Sequence, residues 1–207
     1  LAAGKGHAQG TVALPQMREG QVGLCFATLL ARSTGQPVPH IDYGSPAQCY
    51  AIAQGQLAYY RALERAGHVR LITDRAGLDA HLAAWQTSLS PLGSVGACDA
   101  DADPDDAPLG FVISMEGADP ILDPEQLEAW WEAGLRLLGI THYGPGRYAG
   151  GTGTELGLTA LGAPLLDEMA RLGLVLDLTH CSDRAFWEAL ERYAGPVLAS
   201  HSNCRAL

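Results

Sequence analysis

LVLDLTHCSDRAFWEALERYAGPVLASH, residues 174–201, decides the fold. The apolar run Leu174–Thr179 reads as a buried strand that ends at His180. Ser182 offers an N-cap hydroxyl to a helix running through Tyr193, and Gly195 stops it. Pro196–Ala199 is a second short strand, ending at His201. Two strands joined through a helix lie parallel in a sheet, because the connection is too long for a hairpin.

The same unit repeats toward the amino terminus. Leu109–Ser114 predicts a strand that ends at Met115-Glu116-Gly117. Asp123-Pro124 caps a helix reaching to about Arg136, and Leu137–Thr141 is a strand ending at His142. A Gly-rich loop at 144–157 precedes a helix over Thr159–Leu172, which Gly173 closes. Further upstream, 21–30 (QVGLCFATLL) and Val69–Thr73 read as strands. Ser45-Pro46 opens a helix to about Ala66, ended by Gly67, and Leu78–Thr87 is another helix. The acidic run at 99–106 reads as a solvated loop, since the Gly and downstream Glu of a calcium loop are missing. Residues 1–20 show no clear period.

Alternating strands and helices fit two architectures. An open doubly wound sheet carries a glycine-rich phosphate turn after its first strand, and no GxGxxG stands at such a place. A (β/α)8 barrel puts its chemistry at the carboxyl ends of several strands. Glu116, His142, His180 and His201 each end a strand of their own, which selects the barrel. Such a barrel takes about 250 residues. Six strand candidates in 207 residues are too few for closure, so an incomplete TIM-type barrel in a single domain, 1–207, is expected. With no initiator Met at Leu1 and a polar cluster just before Leu207, the chain is expected to be a fragment of a longer protein.

Composition narrows the function. The chain is 47% hydrophobic, enough apolar surface to offset the entropy of ordering it. No stretch approaches the roughly 18 apolar residues of a transmembrane helix. A net charge of −10 repels phosphate backbones, so nucleic acid is not expected as a partner. Lys5 is the only lysine, which argues against Schiff-base and P-loop chemistry. Cysteines 25, 49, 98, 181 and 204 are odd in number with no CxxC, so a disulfide framework is not expected and a cytoplasmic setting is favoured.

By period two, His180 shares a face with Leu174, Leu176 and Leu178, and His201 shares one with Val197 and Ala199. Neighbouring strands lie about 4.8 Å apart, so two such imidazoles could share one metal ion, most simply zinc. Glu116 has two carboxylate oxygens and can bridge two ions about 3.5–4 Å apart. No lysine at a strand end competes for that bridge. His142 reads either as a ligand or as a donor to a developing oxyanion. Asp177 falls on the face opposite His180 and is expected to brace the wall through hydrogen bonds. Cys181 and Cys204 are not expected to bind metal.

Glu116-Gly117 after an apolar strand, ITH at 140–142, LVLDLTHCSD at 174–183 followed by FWEAL, and PVLASHSNCRAL at 196–207 resemble the membrane dipeptidase (renal dipeptidase) family. VGLCF at 22–26 resembles the family's VGxQF strand, with Cys25 where Gln is usual. The resemblance implies an amidohydrolase-type (β/α)8 barrel with two zinc ions bridged by Glu116. His180 and His201 would ligate the second ion. His142 would contact the substrate and its oxyanion. The implied activity is hydrolysis of dipeptides by a metal-bridging hydroxide. The family's first-strand His-x-Asp, last-strand Asp and substrate-carboxylate arginine have no match in this chain. Two alternatives stay open: another amidohydrolase-type enzyme acting on cyclic amides, and a catalytically dead fragment or binding protein. A homodimer is compatible with the sequence but nothing in it supports one.

Overall fold

The computed structural model describes residues 12–35, 38–88 and 108–204. The acidic run at 99–106 lies outside the described residues. In chain order come α1 (Leu14–Glu19), β1 (Leu24–Leu29), α2 (Pro46–Arg65), β2 (Val69–Leu71), α3 (Arg75–Ser88) and β3 (Leu109–Glu116). A 3₁₀ turn (Pro124–Gln126) leads into α4 (Leu127–Glu132), followed by β4 (Leu135–Gly139), α5 (Gly162–Leu172), β5 (Val175–Asp177), α6 (Asp183–Arg192) and β6 (Val197–Leu198). The predicted alternation of strands and helices is present, and every strand pair of known register is parallel.

The chain forms two compact units, one within Leu1–Ala27 and Ala58–Val112, the other within Thr28–Leu57 and Ile113–Leu207. In the first, β2 runs alongside the start of β3, with Val69 opposite Leu109 and Leu71 opposite Phe111. Tyr60 packs edge-on against Phe111, ring centroids 5.9 Å apart. His81 of α3 is fully buried and holds the Gly23 carbonyl oxygen at 2.7 Å from Nε2.

The second unit carries the site. The ends of β1 and β3 are joined by a hydrogen bond between the Thr28 and Ser114 hydroxyls, 2.9 Å apart. The end of β3 pairs with β4, β4 with β5, and β5 with β6. Leu29, Ile113, Met115, Leu138 and Leu176 are buried to 1% exposure or less. Burying each such side chain contributes about 1.5–3 kcal/mol. Along α2, Cys49, Ala53 and Leu57 fall four apart and are buried, one face of a helix. Gln56 on the same helix clamps both backbone groups of Leu30, at 2.8 and 2.9 Å. Leu165, Leu166 and Met169 are the buried stripe of α5, which lies beside α4 and α6.

Three local readings differ from expectation. A short helix, α1, occupies part of the stretch that shows no period. The helix expected to reach Arg136 stops at Glu132, and β4 begins at Leu135 rather than Leu137. Gly134 turns the chain early at φ 108°. Arg136 then reaches back to cap, donating to the Trp131 and Leu135 carbonyls at 2.7 Å and stacking on the Trp131 ring at 4.6 Å. Strands β5 and β6 are also shorter than expected, which changes how the histidines are presented.

Candidate metal centre

Glu116 is the last residue of β3, whereas His142, His180 and His201 each stand three residues beyond the end of β4, β5 and β6. Strand alternation therefore does not aim the two predicted ligand histidines. Asp177 does. Its Oδ1 accepts from the Thr179 and Ser200 amides at 3.0 and 3.2 Å, which draws both segments out of the ladder just before their histidines. His180 follows in the left-handed region at φ 68°, a conformation that costs an L-residue roughly 1–2 kcal/mol. The loop from 144 to 157 folds back onto His142, with Thr152 N donating to its carbonyl at 3.0 Å and Gly144 N donating to Thr152 O at 3.0 Å. At Gly151 any Cβ would lie 1.7 Å from the His142 oxygen, so only glycine fits that approach.

These supports bring all four predicted side chains together. Glu116 Oε1 is 2.9 Å from His180 Nε2 and 3.3 Å from Nε2 of both His142 and His201. The His180 and His201 Nε2 atoms are 3.1 Å apart. Among the described residues, Glu116, His180 and His201 form the one group of ligand atoms placed to share a cation, all within 4.8 Å of one another. The imidazoles beside it, His142 first and then His180, hold the Glu116 carboxyl well below the usual carboxylate range against the opposing effect of burial. The carboxylate is thus ionised and available.

What faces each Nδ1 sorts the three imidazoles. Nδ1 of His201 is 2.7 Å from Ser200 Oγ, whose own proton goes to Asp177 Oδ2 at 2.5 Å. Nδ1 of His180 is 3.3 Å from Thr152 Oγ1, whose proton goes to the His180 carbonyl at 3.2 Å. Both imidazoles therefore donate from Nδ1 and turn the Nε2 lone pair inward. Two lone pairs and a carboxylate converge as acceptors, an arrangement that a proton or a cation between them satisfies. The donor set of two imidazoles and a carboxylate suits zinc. His142 differs, because its Nδ1 lies 2.9 Å from Arg32 Nη1.

Sequence reading finds the four inner residues because each ends an apolar run. It misses Arg32, Thr152 and Ser200, which act on Nδ1 atoms from loops that carry no periodic signal. Cys181 does not join the cluster. Burial and Asp177 push its thiol up to about 12, so it stays protonated and a poor ligand.

The membrane dipeptidase (peptidase family M19) sequence model matches residues 3–207. An uncharacterised protein from the PQQ-III 3′ region of Acinetobacter calcoaceticus is 32% identical over 108 residues, 48% of this chain and 34% of that protein. Among solved structures, the dipeptidase AC metallopeptidase superposes with TM-score 0.73 at 25% identity, covering 98% of this chain and 56% of that one. A metallopeptidase from Rhodobacter sphaeroides, solved with a phosphinate mimic of the dipeptide L-Ala-D-Ala, superposes with TM-score 0.76 at 23% identity, covering 98% and 59%. The chain thus spans little more than half the length of these solved structures, and less of the curated relative. The fold class is that of the TIM-type (β/α)8 barrel, of which this chain carries part, in agreement with the strand count. With its family model matched almost end to end, the chain belongs to the membrane dipeptidase family.

Proposed function

We propose that this chain contributes Glu116, His142, His180 and His201 to the active site of a two-zinc dipeptidase. The observation that carries the reading is the convergence of one ionised carboxylate and two inward Nε2 atoms within 4.8 Å, in a chain of this family. Glu116 would hold both cations, and His180 and His201 would hold one of them. When bound, the cations supply Lewis acidity, which ionises water near neutral pH and polarises the scissile carbonyl.

The chain's own residues would do the rest. As water adds to the peptide carbonyl carbon, the carbonyl oxygen gains charge. Nε2 of His142 faces the same space, 3.3 Å from Glu116 Oε1, and when protonated would donate to the carbonyl oxygen more strongly as the charge develops. Asp177 and Thr152 keep the ligand imidazoles in the right tautomer throughout, the first through Ser200 and the second directly. Tyr143 stands half-exposed with its ring 5.1 Å from that of His180, where it would flank a bound substrate. The phosphinate dipeptide mimic held by the Rhodobacter protein supports a short peptide as the substrate class. No helix among the described residues is long and apolar enough to cross a membrane.

The test is metal content and hydrolysis in the full-length protein. Zinc should be present, dipeptides should be cleaved and cyclic amides should not. His180→Ala should lose zinc and most activity. Unchanged zinc in that variant, or turnover of cyclic amides alone, would overturn the reading.

A further inference from the structure

We propose that Arg32, clamped by Asp42, is a positioning residue that fixes His142 as its Nε2–H tautomer. The catalytic consequence rests on the dipeptidase reading above; the geometry does not. Arg32 is 8% exposed, in the segment after β1. Its Nη1 lies 2.9 Å from His142 Nδ1 and its Nε lies 3.2 Å from Asp42 Oδ2. A guanidinium has only donors. His142 Nδ1 must therefore accept, and its one proton sits on Nε2, the atom 3.3 Å from Glu116.

The clamp is built from the chain itself. Arg32 N donates to Ile41 O at 2.9 Å and Tyr43 N donates to Arg32 O at 2.8 Å, which places Arg32 and Asp42 side by side. The Asp42 side chain is 2% exposed and also accepts from the Thr34 amide and hydroxyl. The next residue along, Ser33, is tied by its amide to Asp119 Oδ2 at 3.0 Å, and Asp119 Oδ1 accepts from Arg147 N at 2.9 Å. The Asp42 ion pair thus holds the guanidinium on one side, and Asp119 ties down the backbone next to it, before it meets the imidazole.

The consequence is a division of labour among three similar rings. His180 and His201 meet hydroxyls at Nδ1, donate to them, and offer lone pairs inward. His142 meets a cation at Nδ1, accepts from it, and offers a proton inward. Without Arg32 the His142 ring would be free to exchange tautomers and present a lone pair to the same space.

The experiment is long-range ¹H–¹⁵N spectroscopy of the histidine side chains in the full-length protein, with kcat and KM measured in parallel. The unsubstituted protein should show His142 protonated on Nε2. An Nδ1–H signature there would overturn the proposal, whatever any variant does. Arg32→Met should shift His142 toward Nδ1–H and lower kcat about 10–100-fold, with KM and zinc content little changed. Arg32→Lys, which keeps a donor, should recover part of both. An Arg32→Met protein that keeps the Nε2–H signature and its kcat, and loses only melting temperature, would show a purely structural role and overturn the proposal. Should the protein cleave no dipeptide yet show the expected tautomer and its response to Arg32→Met, the dipeptidase reading fails and the positioning role stands.

Discussion

His81, in α3, and His180, beyond β5, are both largely shielded from water, yet their surroundings differ at each nitrogen. Nε2 of His81 donates to one backbone carbonyl, its Nδ1 has no hydrogen-bond partner among the described residues, and its ring lies beside that of Trp85. His180 has a hydroxyl at Nδ1, and a carboxylate and a second imidazole at Nε2. The first ring has its only proton committed to the fold and nothing opposite to act upon. The second is oriented from behind so that its free lone pair meets other charged or polar groups. Burial does not separate a structural histidine from a chemical one. The partner at the far nitrogen does.

That contrast can be broken or sharpened by substitution. Glu116→Gln in the full-length protein should lower dipeptide turnover by more than about 100-fold and release zinc, as read by metal analysis. His142→Ala should lower the rate about 100-fold, the typical loss for an oxyanion donor, while zinc content holds. Ser200→Ala removes the hydroxyl between Asp177 and His201, and should weaken zinc about 10-fold or more in a chelator competition. His81→Leu should leave zinc and turnover alone and lower unfolding free energy by about 1–2 kcal/mol in a denaturant titration. Loss of zinc from the His81 variant would erase the distinction between the two rings.

Cys49 provides the smallest effect and a pH test. Burial, then the nearby Asp119 and Asp42 charges, push its thiol up to about 12 from an ordinary 9.0. The native state then binds the proton more tightly than the unfolded chain does. Its contribution to stability is fully present below pH 9 and is lost as pH rises toward 12. Iodoacetamide at neutral pH should label Cys49 only when the protein unfolds, as peptide mapping would show.

Residues 174–201 were legible because every level agrees there: an apolar run, a serine cap, a glycine stop, a second apolar run. Ser182 Oγ does accept from the Ala185 amide at 3.1 Å. The inner four residues of the site were legible for the same reason, each standing where an apolar run gives out. Their aim was not. Period two assumes the strand continues, and the Asp177 carboxylate ends two strands by capturing the Thr179 and Ser200 amides. Arg136 shows the same limit, since a helix-favouring residue became the cap of the helix it was expected to extend. Arg32 and Thr152 had no signal at all. Each lies in a loop and acts on a ring far away in sequence, at separations of 110 and 28 residues.

The left-handed backbone of His180 sets fold and chemistry against each other at one residue. Glycine tolerates that conformation without penalty, and asparagine adopts it more readily than most. With no metal present, His180→Gly should therefore yield a protein that is harder to unfold, by about 1 kcal/mol, and unable to take up the cation. Selecting variants for thermal resistance in metal-free buffer would drift toward that inert form. An engineer raising the melting temperature of this chain should hold residue 180 fixed.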